Sequence, residues 1–191
     1  LPADADEDAL VMLSDIFPTA FECGVTNGRI QPGDQVAIVG AGPIGLAALL
    51  TARFFSPAAI IVVDQDANRL QVAHSLGATH LVDASAGKPA DEILMISGGE
   101  GVNVAIEAVG VPASFDLCQS IIAPGGRIAN VGVHGQPVLL RLEKLWSHNN
   151  GQGHNGGIIT YMAKGKQYVA VMTGWGSLVG DGYGDLWGEP F

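Results

Sequence analysis

Gln35-Val36-Ala37-Ile38-Val39-Gly40-Ala41-Gly42-Pro43-Ile44-Gly45-Leu46-Ala47-Ala48-Leu49-Leu50 is the stretch that decides the fold. A short run rich in β-branched residues ends in glycine, and the apolar run after it starts with proline. The first part predicts a strand over 35–39, and the second a helix over 43–55 that is apolar on nearly every side. Between them Gly40, Gly42 and Gly45 form Gly-x-Gly-x-x-Gly, with Pro43 and Ile44 inside the motif. Alone the pattern is weak. Here it follows a strand, opens a helix and meets Asp64 at the end of the next β-branched run, the context the dinucleotide fingerprint requires.

Each residue type has a physical task in that context. Gly40 permits the tight strand-to-helix turn, Gly42 lets the backbone approach a pyrophosphate, and Gly45 lets the helix pack closely on a sheet. Pro43, in the first helical turn, sacrifices no needed hydrogen bond. The free amides and the positive end of the helix then receive phosphates. Asp64 accepts hydrogen bonds from both adenosine ribose hydroxyls and opposes a 2′-phosphate, which predicts NAD rather than NADP. Arg69 argues the other way but stands a turn into the following helix. The bland alternative, a glycine turn beside a surface aspartate, is disfavoured because motif and context agree.

Outward from this motif, strands and helices alternate. Strands are predicted at 59–63, 79–82, 102–107 and 127–131. Helices are predicted at 66–76 with Gly77 as its stop, at 90–97 closed by Gly98, and at 112–122 ended by Pro124-Gly125-Gly126. The strands are apolar along their length, as burial on both faces demands. Strict alternation implies right-handed crossovers, so the fold class is α/β, a doubly wound parallel sheet.

Around Asn149 the texture changes. Residues 149–157 are almost purely polar and glycine, and two strand-like runs at 158–162 and 167–172 flank Ala163-Lys164-Gly165-Lys166, a hairpin turn. Residues 174–191 are rich in glycine, aspartate and tryptophan without a helical period. Three parts are therefore expected: a lead-in segment 1–30, a dinucleotide-binding domain 31–149, and a short β-hairpin and irregular tail 150–191.

Composition narrows the function. The 191 residues are 48% hydrophobic, ample for a core, and carry a formal charge of −10. That charge argues against nucleic acid, which needs a basic face. No apolar run is long enough for a membrane span. Cys23 and Cys118 are the only cysteines and form no Cys-x-x-Cys pair, so a reducing, cytoplasmic setting is expected. The start at Leu1, with no basic region before a hydrophobic stretch, predicts a fragment without a signal peptide.

Three stretches together resemble the cofactor (Rossmann) domain of medium-chain, zinc-dependent alcohol dehydrogenases. They are Leu13-Ser14-Asp15-Ile16-Phe17-Pro18-Thr19, then Val36 to Gly45 with Asp64, then Glu107-Ala108-Val109-Gly110 with Asn130-Val131-Gly132-Val133. The resemblance implies that Asp15 is a ligand of the catalytic zinc and that Thr19 lies near the nicotinamide. It also implies that Ala108, Val109, Val131, Gly132 and Val133 line the far side of the cofactor cleft, with Arg69 near the adenosine ribose. The family's other zinc ligands match nothing in this sequence. The zinc site is then incomplete at Asp15, and zinc binds only if the missing ligands come in trans. The implied partners are NAD(H) and, in an intact enzyme, a small alcohol or aldehyde.

Other candidates have simpler readings. His74 faces solvent from a helix, while His80 and His134 stand at loop edges, His134 near the cleft mouth. His148 and His154 have no recognised ligand spacing. Cys118 reads as a small core residue, Cys23 as packing under the first strand, and Glu107 as a support for the cofactor loop rather than a general base. The tail from Gly157 to Gly176 resembles a propeller blade of quinoprotein alcohol dehydrogenases, and no functional residue is carried over from it. Asp181, Asp185 and Glu189 fit no EF-hand loop and read as turn formers. A recombined segment, an engineered fusion and a hairpin covering the sheet edge all remain open for the tail. An alternative function is a non-catalytic scaffold whose tail drives self-association around a vestigial nucleotide site.

Overall fold

The computed structural model describes Asp6, residues 10–141 and the backbones of residues 158–163 and 166–171. The chain divides into two compact units, Leu1–Lys144 and Leu145–Phe191.

In the first unit a short helix α1 (Ile16–Thr19) runs into a π-helical segment, Ala20–Thr26. Then follow β1 (Gln35–Val39), α2 (Pro43–Ala52), β2 (Ala59–Asp64), α3 (Ala67–Ser75), β3 (His80–Asp83) and α4 (Pro89–Ile96). The unit continues through β4 (Val102–Glu107), α5 (Pro112–Ile121) and β5 (Ile122–Asn130). The sheet is parallel throughout, in the order β3-β2-β1-β4-β5. The chain moves outward from β1 to β3 and then returns to the other side of β1. The resulting switch point lies between β1 and β4, where crossovers leave for opposite faces and open a crevice.

Register places the functional turns together. Val39 pairs with both Val63 and Glu107, so Gly40, Asp64 and Ala108 leave the sheet side by side at its carboxyl edge. Successive strand residues point to opposite faces. Val36, Ile38, Ile60, Val62, Val104 and Ile106 join one core layer with Leu49, Leu70 and Ala73. Ala37, Val39, Ile61, Val63, Val82 and Ala105 join the other with Ile93, Cys118 and Ile121. Packing rather than helix propensity holds α2. Burying Leu49 alone is worth roughly 1.5–3 kcal/mol, against at most about 1 kcal/mol per residue for propensity. Thr51, buried on the same helix, donates its hydroxyl to the Ala47 carbonyl at 2.7 Å, so no polar atom is stranded.

Most element ends obey the local signals. Asp66 caps α3 by accepting from the Asn68 and Arg69 amides, and Gly77 stops that helix at φ +102°. Gly98 ends the α4 turn at φ +72°.

Two expectations need correction. The fifth strand starts at Ile122 rather than Arg127, and it runs through Pro124-Gly125-Gly126. Val102 pairs with Ile122 and Val104 with Arg127, so residues 123–126 bulge between two paired positions instead of forming a separate turn. Cys23 is exposed, not packed under β1. The π-helical winding turns Gly24 and Val25 inward instead, and a Cβ on Gly24 would stand 3.4 Å from Ile106 Cγ2.

The second unit contains one described feature, an antiparallel hairpin of β6 (Ile158–Ala163) and β7 (Lys166–Val171), paired from Ile158–Val171 to Ala163–Lys166. This matches the two strand-like runs expected around Lys164 and Gly165. The expectations for His148, His154, Asp181, Asp185, Glu189 and the Trp/Gly-rich end fall outside the described residues. No helix among the described residues is long and apolar enough to cross a membrane.

Candidate functional site

Gly40 adopts φ +104°, and a Cβ there would meet Val109 Cγ2 at 2.7 Å, so both conformation and space demand glycine. A Cβ on Gly45 would lie 1.8 Å from the Gly40 carbonyl oxygen, which ties α2 closely to the turn. Gly42 is different. It caps α2 in extended geometry, and a Cβ there would meet nothing within 4 Å. The space is open on the side where the helix amides of the first turn have no intrahelical acceptor.

The turn is latched from below. The Gly40 amide donates to the Val63 carbonyl at 2.8 Å and the Ala108 amide to the Val39 carbonyl at 2.9 Å. Asp64 Oδ2 accepts the Ala41 amide at 2.7 Å, and Oδ1 accepts the Asp66 amide at 2.9 Å. A carboxylate oxygen has two acceptor positions, so one remains on each for a pair of hydroxyls. Arg69 Nη1 stands 4.0 Å from Asp64 Oδ2 and is largely exposed, a weak surface pair. These residues border a cleft of about 570 Å³ lined also by Val39, Gln65, Ala84, Pro89, Ala108, Val109, Val111 and Ser114. Its size, apolar walls and few convergent polar groups suit a nucleotide.

Glu107, at the end of β4, is fully buried. Its Oε1 accepts the Val109 and Gly110 amides, both at 2.9 Å, and the Ser114 hydroxyl at 2.5 Å. Its carbonyl accepts the Val131 and Gly132 amides at 2.8 and 3.0 Å. One residue therefore organises the loops after both β4 and β5. His134 Nε2 lies 3.3 Å from Glu107 Oε2. The sequence reads Glu107 as a loop support, and the contacts agree; it reads His134 as a loop-edge residue and carries no sign of the pairing, because no local motif joins two residues so far apart. Burial, followed by the negative charge of Glu107, pushes the neighbouring Cys118 thiol up, so Cys118 is an inert core residue. Asp83, the last residue of β3, is held below its ordinary range by the Ser85 hydroxyl and then the Ser85 amide.

The remaining predicted site residues are dispersed. Pro43 is exposed and Ile44 half-buried in the first turn of α2. Val131 is half-buried against the core, Gly132 packs backbone-on-backbone against Gly110, and Val133 is exposed. Asp15 is exposed, and its Oδ1 accepts the Thr19 hydroxyl at 2.7 Å. Neither residue lines the cleft. Among the described residues no three His, Cys, Asp or Glu side chains converge on a possible metal position. The nucleotide turn therefore fits its expected occupant, whereas Asp15 by itself does not make a zinc centre.

The comparisons bear on the same region. A family model described as zinc-binding dehydrogenase matches residues 43–153. An alcohol dehydrogenase of Cupriavidus necator is 33% identical over 142 residues, 74% of this chain and 38% of that protein. The NADP-dependent isopropanol dehydrogenase of Thermoanaerobacter brockii is 33% identical over 145 residues, 76% of this chain and 41% of that protein. The apo structure of zinc dependent alcohol dehydrogenase 2 from Streptococcus pneumonia superposes with a TM-score of 0.73 at 54% identity, covering 78% of this chain and 42% of that one. This chain spans about two-fifths of the length of the curated relatives it matches. None of these findings supports the likeness of the tail to a propeller blade. The parallel sheet, the glycine turn and the matched relatives agree: the chain belongs to the zinc-binding dehydrogenase family.

Proposed function

We propose that residues 31–149 bind NAD(H) and serve as the cofactor half of an alcohol dehydrogenase. The observation that carries this reading is the Asp64 carboxylate, anchored by two amides with one acceptor position free on each oxygen. Those positions take the adenosine 2′- and 3′-hydroxyls, while a 2′-phosphate would face the carboxylate directly. One matched relative is named for NADP, so the preference for NAD rests on Asp64 and not on kinship. The first-turn amides of α2 bind the diphosphate, and Gly42 leaves room for it. Val109 and Val133 shield the reactive end from water, and Arg69 adds a polar contact near the ribose. When bound, the nicotinamide supplies the carbon that accepts or returns hydride from a small alcohol or aldehyde.

Asp15 is the one zinc-ligand candidate carried by this sequence, so the 191-residue chain alone binds nucleotide but turns over alcohol little or not at all. Separate titrations with NADH and NADPH, followed by fluorescence, test the reading. Saturable NADH binding, at least about tenfold weaker NADPH binding, and a loss of NADH affinity with Asp64→Ala that narrows the gap to NADPH are expected. Equal affinities would overturn the NAD preference. No saturable binding would overturn the reading itself and favour a scaffold in which the nucleotide site is vestigial. Zinc-dependent alcohol oxidation by the purified chain would contradict the assignment of low activity.

A further inference from the structure

Asp64 assigns the first nucleoside to the β2 side of the switch point, so the second lies across β1, above the ends of β4 and β5. Its floor is made by two loops, 108–110 and 131–134, in unusually close contact. A Cβ on Gly132 would lie 2.2 Å from the Gly110 amide nitrogen, and one on Gly110 would lie 2.5 Å from the Val133 carbonyl oxygen. Glu107 binds both loops through Oε1 and its own carbonyl, which leaves Oε2 buried without a hydrogen-bond partner. A buried carboxylate oxygen with no donor is costly.

The group facing that oxygen is His134. Asn130 Nδ2 donates to the Gly132 carbonyl at 3.4 Å, which turns Asn130 Oδ1 toward His134 Nε2 at 2.9 Å. His134 Nε2 thus faces two oxygens, Asn130 Oδ1 and Glu107 Oε2, the arrangement suited to the tautomer with its proton on Nε2. Phe115 holds the ring edge-on, with centroids 5.9 Å apart and planes at 89°.

We propose that His134 is a positioning residue for the second nucleoside, locking the 131–134 loop onto Glu107 and hence onto the 108–110 loop. The proposal rests on the dinucleotide reading above. His134 meets Glu107, Asn130 and Phe115, none of which lines the cleft beside Asp64, so its effect falls mainly on the second nucleoside. ADP carries the adenosine and diphosphate but lacks the second nucleoside, which makes the comparison of ADP with NADH diagnostic.

The full chain is titrated with NADH and with ADP as wild type, His134→Ala and His134→Gln, and backbone amide exchange is followed without nucleotide. Loss of the charge-assisted contact is expected to weaken NADH about tenfold in His134→Ala while ADP changes less than about twofold. Gln places two N–H groups on one nitrogen at similar reach, so His134→Gln restores NADH affinity. Exchange at Val109, Gly110 and Gly132 should quicken in His134→Ala and recover in His134→Gln. Equal losses of ADP and NADH, unchanged NADH affinity, or undisturbed exchange at those amides would overturn the positioning role. If wild type binds neither ligand, the dinucleotide reading fails, and the exchange data alone decide whether His134 locks the two loops.

Discussion

The Ala41 amide, in the middle of the glycine turn, donates to Asp64 Oδ2 across 2.7 Å, joining the nucleotide turn to the strand beside it. The acid proposed to select the ribose also braces the loop proposed to receive the phosphates. Asp64→Ala strands the Ala41 amide, at a position 1% exposed, and should cost about 1–3 kcal/mol in urea denaturation. NADH affinity should fall in the same variant. A stability equal to wild type would show that the carboxylate does not brace the turn.

Gly42 and Gly45 should separate binding from folding. Gly45→Ala drives a Cβ to 1.8 Å from a backbone oxygen, so a loss of about 3 kcal/mol or more is expected by chemical denaturation. Gly42 has φ −75° and ψ −177°, accessible to alanine, with open space beyond. Gly42→Ala should stay within about 1 kcal/mol of wild type yet weaken NADH at least about tenfold, since the methyl enters the diphosphate approach.

The cysteines predict a labelling pattern and an alkaline limit. Iodoacetamide should modify exposed Cys23 in the native protein, and Cys118 only after urea is added. Cys118 is pushed up on folding, so it costs nothing below its unfolded value of about 8.5. Above that pH the unfolded chain releases the proton while the folded one keeps it, and stability falls as pH rises. Cys118→Ala should flatten this decline in melts between neutral and alkaline pH.

Asp83 has the opposite sign. Its carboxyl is lowered in the folded protein by the Ser85 hydroxyl first and amide second. The contribution is present above the unfolded value of about 3.9 and is lost as pH falls through the lower folded one. Ser85→Ala should raise the Asp83 midpoint in an NMR titration toward the unfolded value.

Gln119, 3% exposed on α5, donates to the Leu139 carbonyl at 2.9 Å and accepts the Arg141 amide at 2.8 Å. It fastens the segment beyond the last strand of the sheet to the domain. Gln119→Ala leaves both backbone groups unpaired and should cost about 1–3 kcal/mol, with early proteolytic cleavage near Leu139.

What the sequence made legible was what local chemistry controls. Runs such as Ile60-Ile61-Val62-Val63 announce a strand buried on both faces, and Asp66 and Gly77 mark helix ends through their own backbone preferences. The glycine turn and Asp64 could be read because a short motif encodes them. The π-helical winding at Ala20–Thr26 could not: it sets Gly24 against Ile106 and Val131, residues remote in sequence. For the same reason Cys23 turns outward against expectation, and the Glu107–His134 contact has no local signature. Pro124-Gly125-Gly126 reads locally as a turn rather than a bulge, since proline and glycine signal an interruption without saying whether pairing resumes in register.

The close approaches at Gly40, Gly45, Gly110 and Gly132 leave no room for a side chain beneath the proposed nucleotide cleft. Positions without room for a Cβ offer mutation almost nothing to vary, so the contour they set is hard-wired by the crossovers themselves. Val109 and Val133, 50% and 91% exposed at the rim, carry no such restriction. Divergence within this lineage should accumulate at the rim and leave the seat unchanged, so that new chemistry is acquired around an inherited grip.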